Sequence, residues 1–237
     1  MIPRVGDIFQ TNNFGSCIVV EYNSWNNIRV RFEDGTETSC IADNLRKGLV
    51  KNPNHPIICG IGFIGIGNYS YKSHPRIYDC WDKIFDRCYN EDAQLNKPTY
   101  IGCTVCERWW NFQNFAPDYL LMVGSDKSYH LDKDLYAKDN KVYSPEKCCL
   151  LPPQINIALI YKSQNDLEPG VSISNGKVFR ALISIDGQNV DLGYYSTEQE
   201  AFLVYKSAKE DYIKELSNRY KNDLDSRAYK ALMLWEI

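Results

Sequence analysis

The chain has 237 residues, 44% of them hydrophobic and 24% charged, and a formal charge of −3; this is globular composition with room for one to about three small cores. The acidic balance argues against a surface that grips phosphate everywhere, while leaving room for a local basic face. No apolar run reaches the roughly 18 residues of a membrane span, and the start, MIPRVGDIF, lacks the plan of a secretory leader, so a soluble, cytoplasmic protein with no membrane partner is expected.

Residues 1–50 read as a small all-β module. Gly6-Asp7-Ile8-Phe9, Ser16 to Tyr22 and Ile28 to Phe32 are strand-like, the last alternating Ile28, Val30 and Phe32 with Arg29 and Arg31. Asp34-Gly35 supplies a tight turn into Thr36-Glu37-Thr38. A five-stranded SH3-like or Tudor-like barrel is the expected shape, and such a shape carries no function by itself. Residues 51–73 form a connector in which Gly60 to Gly67 alternate glycine with apolar residues. The spacing is not that of a phosphate loop, and the closing Lys and Ser/Thr are missing.

From Arg76 to about Asn90 the pattern is helical, with Ile77, Cys80, Trp81, Ile84, Phe85 and Cys88 on one stripe. A second helix is expected over about 107–121, with Trp109, Trp110, Phe112 and Phe115 as its aromatic body. The stretch from Tyr129 to Asn156, YHLDKDLYAKDNKVYSPEKCCLLPPQIN, follows. Asp132 and Asp134 flank a strand-like start, Asp139-Asn140 signals a turn, and Lys141-Val142-Tyr143 offers the returning strand. Ser144-Pro145 then reads as a capped helix start.

This stretch resembles the ββα-metal core of HNH-type nucleases, in the phage and mobile-element branch that also carries an AP2-like DNA-binding domain. His74-Pro75-Arg76-Ile77-Tyr78, Trp81, Arg87-Cys88-Tyr89-Asn90, Tyr100-Ile101-Gly102, Val105-Cys106, Trp109 and Phe112-x-x-Phe115 match that branch in order. The resemblance implies a domain over residues 74–162 that holds one magnesium or manganese ion beside a scissile phosphodiester of double-stranded DNA. Asp132 falls on the metal-binding acid, Lys133 on the position of the general-base histidine, and Lys147 on the motif's asparagine. A lysine stays protonated in an anionic groove and is a poor base. His130, two residues before Asp132 and on the same strand face, is the substitute base or ligand; Asp134, Asn140 and Asn156 are the further candidate ligands.

The nine cysteines have no export signal beside them, which favours reduced thiols or metal ligands over disulfides. Cys103-x-x-Cys106 is a knuckle that Cys88 and either Cys148 or Cys149 would complete as a structural zinc site. Packed thiols are the plainer reading of the same residues.

Residues 168–237 carry a second resemblance, to AP2-type DNA-binding domains. It rests on Gly170 to Ile173, Lys177 to Ile185, Asp191-Leu192-Gly193-Tyr194-Tyr195 and Ser196 to Ala201. A three-stranded sheet backed by one helix is implied, with hairpins at Asn175-Gly176 and Asp186-Gly187. Ser196 with Gln199 is the expected capping box, and Ala201, Val204, Tyr205, Ala208, Tyr212 and Leu216 the sheet-facing stripe. Lys177, Arg180, Ser184 and Tyr194 are the candidate DNA contacts, and Asp191 stands where the family has tryptophan.

The fold class expected is therefore α+β: an N-terminal barrel, a central ββα-metal domain and a C-terminal AP2-like domain. The leading functional expectation is a homing-like, metal-dependent DNA endonuclease acting in the host cell of a phage or mobile element. A catalytically degenerate DNA-binding protein and a phage protein that inhibits a host protein are the alternatives.

Overall fold

The computed structural model describes residues 2–161, 163, 166–174 and 178–237. It is a mixed α+β protein with several small sheets, and it divides into two compact units, Met1–Asp118 and Tyr119–Ile237. No helix among the described residues is long and apolar enough to cross a membrane.

The first unit begins with four strands, β1 (Ile8–Gln10), β2 (Ser16–Ser24), β3 (Asn27–Phe32) and β4 (Glu37–Cys40), paired antiparallel in sequence order. The expected alternation in β3 holds: Ile28, Val30 and Phe32 are buried, while Arg29 and Arg31 face out and pair with Glu21 and Glu37. Asp34 makes the turn by accepting from the Thr36 N–H at 2.8 Å, with Gly35 in the left-handed region at φ 85°.

The five-stranded barrel is not what forms. After Cys40 the chain enters a short helix, α1 (Ala42–Arg46), whose Ala42 and Leu45 cap the same apolar core, so the four strands stay open. A single helical turn covers the apolar face that a closing strand would otherwise have covered.

Helix α2 (Pro75–Tyr89) buries Ile77, Trp81, Ile84, Phe85 and Cys88 of the expected stripe, and leaves Cys80 half-buried at its edge. A short helix α3 (Glu91–Asn96) follows, capped by the Asn90 side chain, and then a two-residue strand, β5 (Thr104–Val105). The second expected helix is broken: a 3-10 turn, Glu107–Trp110, is followed at Asn111 by extended backbone and then α4 (Phe112–Leu121). Asn111 is the reason, because its Oδ1 accepts from the Gln113 N–H at 2.9 Å and starts the helix anew.

The aromatic body is core. Trp81, Trp109, Phe112 and Phe115 are all 0% exposed, and the Trp81 indole donates to the Trp109 carbonyl at 2.7 Å. The glycine-rich connector packs on this core, since a Cβ at Gly62 would meet Trp81 at 3.0 Å and Phe85 at 3.2 Å.

In the second unit, β6 (His130–Asp132) pairs antiparallel with β8 (Cys149–Leu151), and helix α5 (Pro153–Ala158) follows at once. Between them β7 (Val142–Tyr143) is a two-residue strand. The hairpin partner of β6 is thus Cys149–Leu151, where the sequence suggested Lys141–Tyr143. Ser144-Pro145 starts a turn, with the Lys147 and Cys148 N–H groups both donating to the Ser144 carbonyl. The true helix start is Pro153, another proline at a first helical position.

Three strands, β9 (Val171–Ser174), β10 (Val178–Ile185) and β11 (Gln188–Tyr195), form an antiparallel sheet in the order β11-β10-β9. Ala181 and Ile183 turn inward, and helix α6 (Glu198–Arg219) packs on that face. The cap lies one residue later than expected: Thr197 accepts from the Glu200 N–H, and the Glu200 carboxylate accepts from Thr197. Along α6 the buried residues are Ala201, Tyr205, Lys209, Tyr212, Ile213, Leu216 and Ser217. Ala208 packs half-buried on the same core, as expected, and Lys209 next to it is buried as well. Helix α7 (Ser226–Met233) closes the unit, with Ala228 and Leu232 buried against the same core.

Candidate functional site

The β6–β8–α5 segment positions most of the candidate residues. In the register His130↔Leu151, Leu131↔Leu150, Asp132↔Cys149, the buried Leu131 anchors the strand, and His130 and Asp132 fall together on its other face. Helix α5 brings Asn156 alongside, its Nδ2 lying 3.2 Å from His130 Nδ1. His130 and Asn156 thus meet, and Asp132 shares the strand face with His130.

Asp132 ties down the start of the loop as well. Its Oδ1 accepts from the N–H groups of Asp134, at 3.0 Å, and Leu135, at 2.8 Å. Oδ2 makes no hydrogen bond with a described residue. Burial pushes this carboxyl above the usual carboxylate range and the Asp134 charge adds to the rise, while the two backbone N–H groups and Lys133 oppose it.

Lys133 is turned into the loop. Its side chain is 7% exposed and its Nζ donates to the Asn140 carbonyl at 2.7 Å and to Asp134 Oδ1 at 2.5 Å, above the Tyr143 ring. Asn140 answers it: Nδ2 donates to the carbonyls of Lys133 and Val142, both at 2.8 Å, and Oδ1 accepts from the Val142 N–H at 3.2 Å. Lys133, Asp134 and Asn140 therefore fold the loop, and their side chains are engaged there. Lys147 is exposed.

The far side of the loop is clamped to the start of α7. The Arg227 guanidinium lies 3.8 Å from the Tyr136 ring centroid and donates to the Glu146 carbonyl at 2.6 Å, and Tyr136 donates to Asp225 at 3.3 Å. Burial pushes the Tyr136 phenol far up. The Cys149 thiol, opposite Asp132, is pushed up to about 12 by burial and then by the Asp132 charge, so it stays protonated at neutral pH. Sequence reasoning did not single out Tyr136 or Arg227; no motif links a loop tyrosine to an arginine far along the chain.

On the sheet, Arg180 lies across from Ser172 on one side and Tyr194 on the other. Its guanidinium is 5.7 Å from the Tyr194 ring centroid and pairs with Asp191 at 2.8 Å. Ser184 is exposed near the end of the same strand. Lys177 lies outside the described residues. Of the cysteines read as zinc ligands, Cys88, Cys103 and Cys148 are buried and Cys106 is half-buried.

Among the described residues, no three His, Cys, Asp or Glu side chains gather as a metal-binding group. No family model, no curated protein and no solved structure matches the chain.

Proposed function

We propose that this protein is a metal-dependent DNA endonuclease of the HNH type, in which the β6–β8–α5 segment cuts and the three-stranded sheet binds the duplex. One observation carries the reading: His130 and Asp132 lie on one face of β6, and Asn156, from the helix that follows β8, reaches His130. A carboxylate, an imidazole and an amide suit a hydrated magnesium or manganese ion, which keeps most of its waters and takes few protein ligands. Asp132 would hold that ion, which supplies charge neutralisation at the scissile phosphate, while Asn156 is turned to His130.

His130 is the base in this reading, and Asn156 sets its tautomer. With the amide oxygen turned toward Nδ1, it accepts from Nδ1–H and leaves Nε2 to take a proton from water. Lys133, buried within the loop, keeps the strand end in place. The sheet binds DNA through Arg180 and Tyr194, and Ser184 is a further polar contact.

A second reading, DNA binding without cleavage, is favoured by the engaged state of Lys133 and Asn140. Nicking of supercoiled plasmid in magnesium or manganese, by the wild type and by Asp132→Ala, separates the two. The endonuclease reading expects nicking that needs the metal and disappears in the variant. Nicking that survives the substitution overturns the site, and no nicking by a folded wild type that shifts duplex leaves binding alone. Zinc content measured on the same preparation decides the role of Cys88, Cys103, Cys106 and Cys148.

A further inference from the structure

The second unit holds a cavity of about 460 Å³ between α5, α6 and the β10–β11 turn. Ile157 and Ile160, 63% and 57% exposed, sit at its apolar rim. Lys209 lines it from the core side and is only 6% exposed. Among the described residues its ammonium makes no hydrogen bond or ion pair, and the side chain lines the cavity.

A buried cation without a counter-ion is costly, because desolvation is not repaid by attraction. The neighbouring Asp186 does not serve, being engaged elsewhere. Its Oδ1 accepts from the Tyr212 hydroxyl at 2.8 Å and from the Gln154 amide, and Arg219 reaches the carboxylate at 3.3 Å. Burial accordingly holds the Lys209 amine below its usual range.

We propose that this cavity binds a small monocarboxylate with an apolar body, its carboxylate on Lys209 and its chain against Ile157 and Ile160. The wall also carries Gln154, Ser184, Asp186 and Tyr212, but Asp186 is neutralised by Arg219 and tied to Tyr212 and Gln154, so Lys209 is the cation left to meet one negative charge joined to hydrocarbon. A phosphate needs several converging donors, and here a single ammonium is offered.

The test uses the full chain with sodium octanoate as the probe, and octanol and inorganic phosphate as controls, read by titration calorimetry. Octanoate should bind the wild type, and Lys209→Met should weaken it by about tenfold or more, the loss of one charge-assisted hydrogen bond. Ile157→Asp, on the exposed rim, should weaken it also, by placing a like charge beside the carboxylate. Octanol and phosphate should bind far more weakly. Equal octanoate affinity in Lys209→Met, phosphate binding as tight as octanoate, or no octanoate binding by the wild type overturns the assignment. Lys209→Met should melt no lower than the wild type, since it removes an unpaired buried charge.

Discussion

Lys133 and Asn140 hold each other across the loop after β6: the ammonium donates to the Asn140 carbonyl at 2.7 Å, and the Asn140 amide donates to the Lys133 carbonyl at 2.8 Å. Both residues are more than nine-tenths buried. Lys133, expected at the base position, and Asn140, expected as a candidate ligand, act here on the loop's own backbone. Asn140→Ala should therefore cost about 2–4 kcal/mol in denaturant unfolding, because backbone groups are left unpaired in the interior. Lys133→Met should cost about 1–3 kcal/mol for the same reason and still nick plasmid once correctly folded. Full stability in both variants would show that the loop does not depend on this exchange.

The Asp132 carboxyl has a raised pKa in the folded chain, from an ordinary value of 3.8. The folded state then binds more protons than the unfolded state between the ordinary and the raised value, so stability falls as pH rises through that window. Below the ordinary value Asp132 is protonated in both states and contributes no slope. Metal-free wild type should lose stability across this interval relative to Asp132→Asn, and saturating magnesium should restore part of the loss at the upper end. Parallel pH profiles for the two proteins would contradict the assignment.

Asn156 next to His130 makes a second test of the site, with a readout that packing alone would not move. Aspartate at position 156 can only accept, so it holds Nδ1–H and fixes the base-competent tautomer. Asn156→Asp should keep nicking within about tenfold of the wild type, whereas Asn156→Leu, similar in size, should abolish it. Equal loss in both would assign Asn156 to packing.

Arg180 is held by Asp191 on the open face of the sheet, at 2.8 Å. Both side chains are more than a third exposed, so the pair is readily exchanged for a phosphate. Asp191→Asn should tighten duplex binding several-fold, and Arg180→Ala should weaken it and flatten the salt dependence by about 0.9 in log–log slope. An unchanged slope in Arg180→Ala removes this arginine from the interface.

The alternating pattern of β3 and β10 and the helical stripe of α2 were readable directly from the chain, because each buries one face against its own neighbourhood. Ile28, Val30 and Phe32 needed only the period of a strand, and Trp81, Ile84 and Phe85 only that of a helix. His130 and Asp132 were placed on one face by the same rule. Closure of the N-terminal sheet, the partner of β6 and the cap of α6 were not readable, since each turns on which of two adequate local signals wins. Asp139-Asn140 is as good a turn as many, yet Lys133 and Asn140 bind each other inside the loop and the pairing passes to Cys149–Leu151.

Residue type and period act over a few residues, so the chain alone fixes which faces of β3 and α2 are apolar. Which polar groups are engaged and which stand unpaired emerges only when the chain is folded. Lys133 and Lys209 show it: two buried lysines of the same chemistry, one answered by Asn140 and Asp134, the other facing a cavity. Whether an ammonium has a partner depends on groups brought near by the fold, and no local pattern encodes that distance.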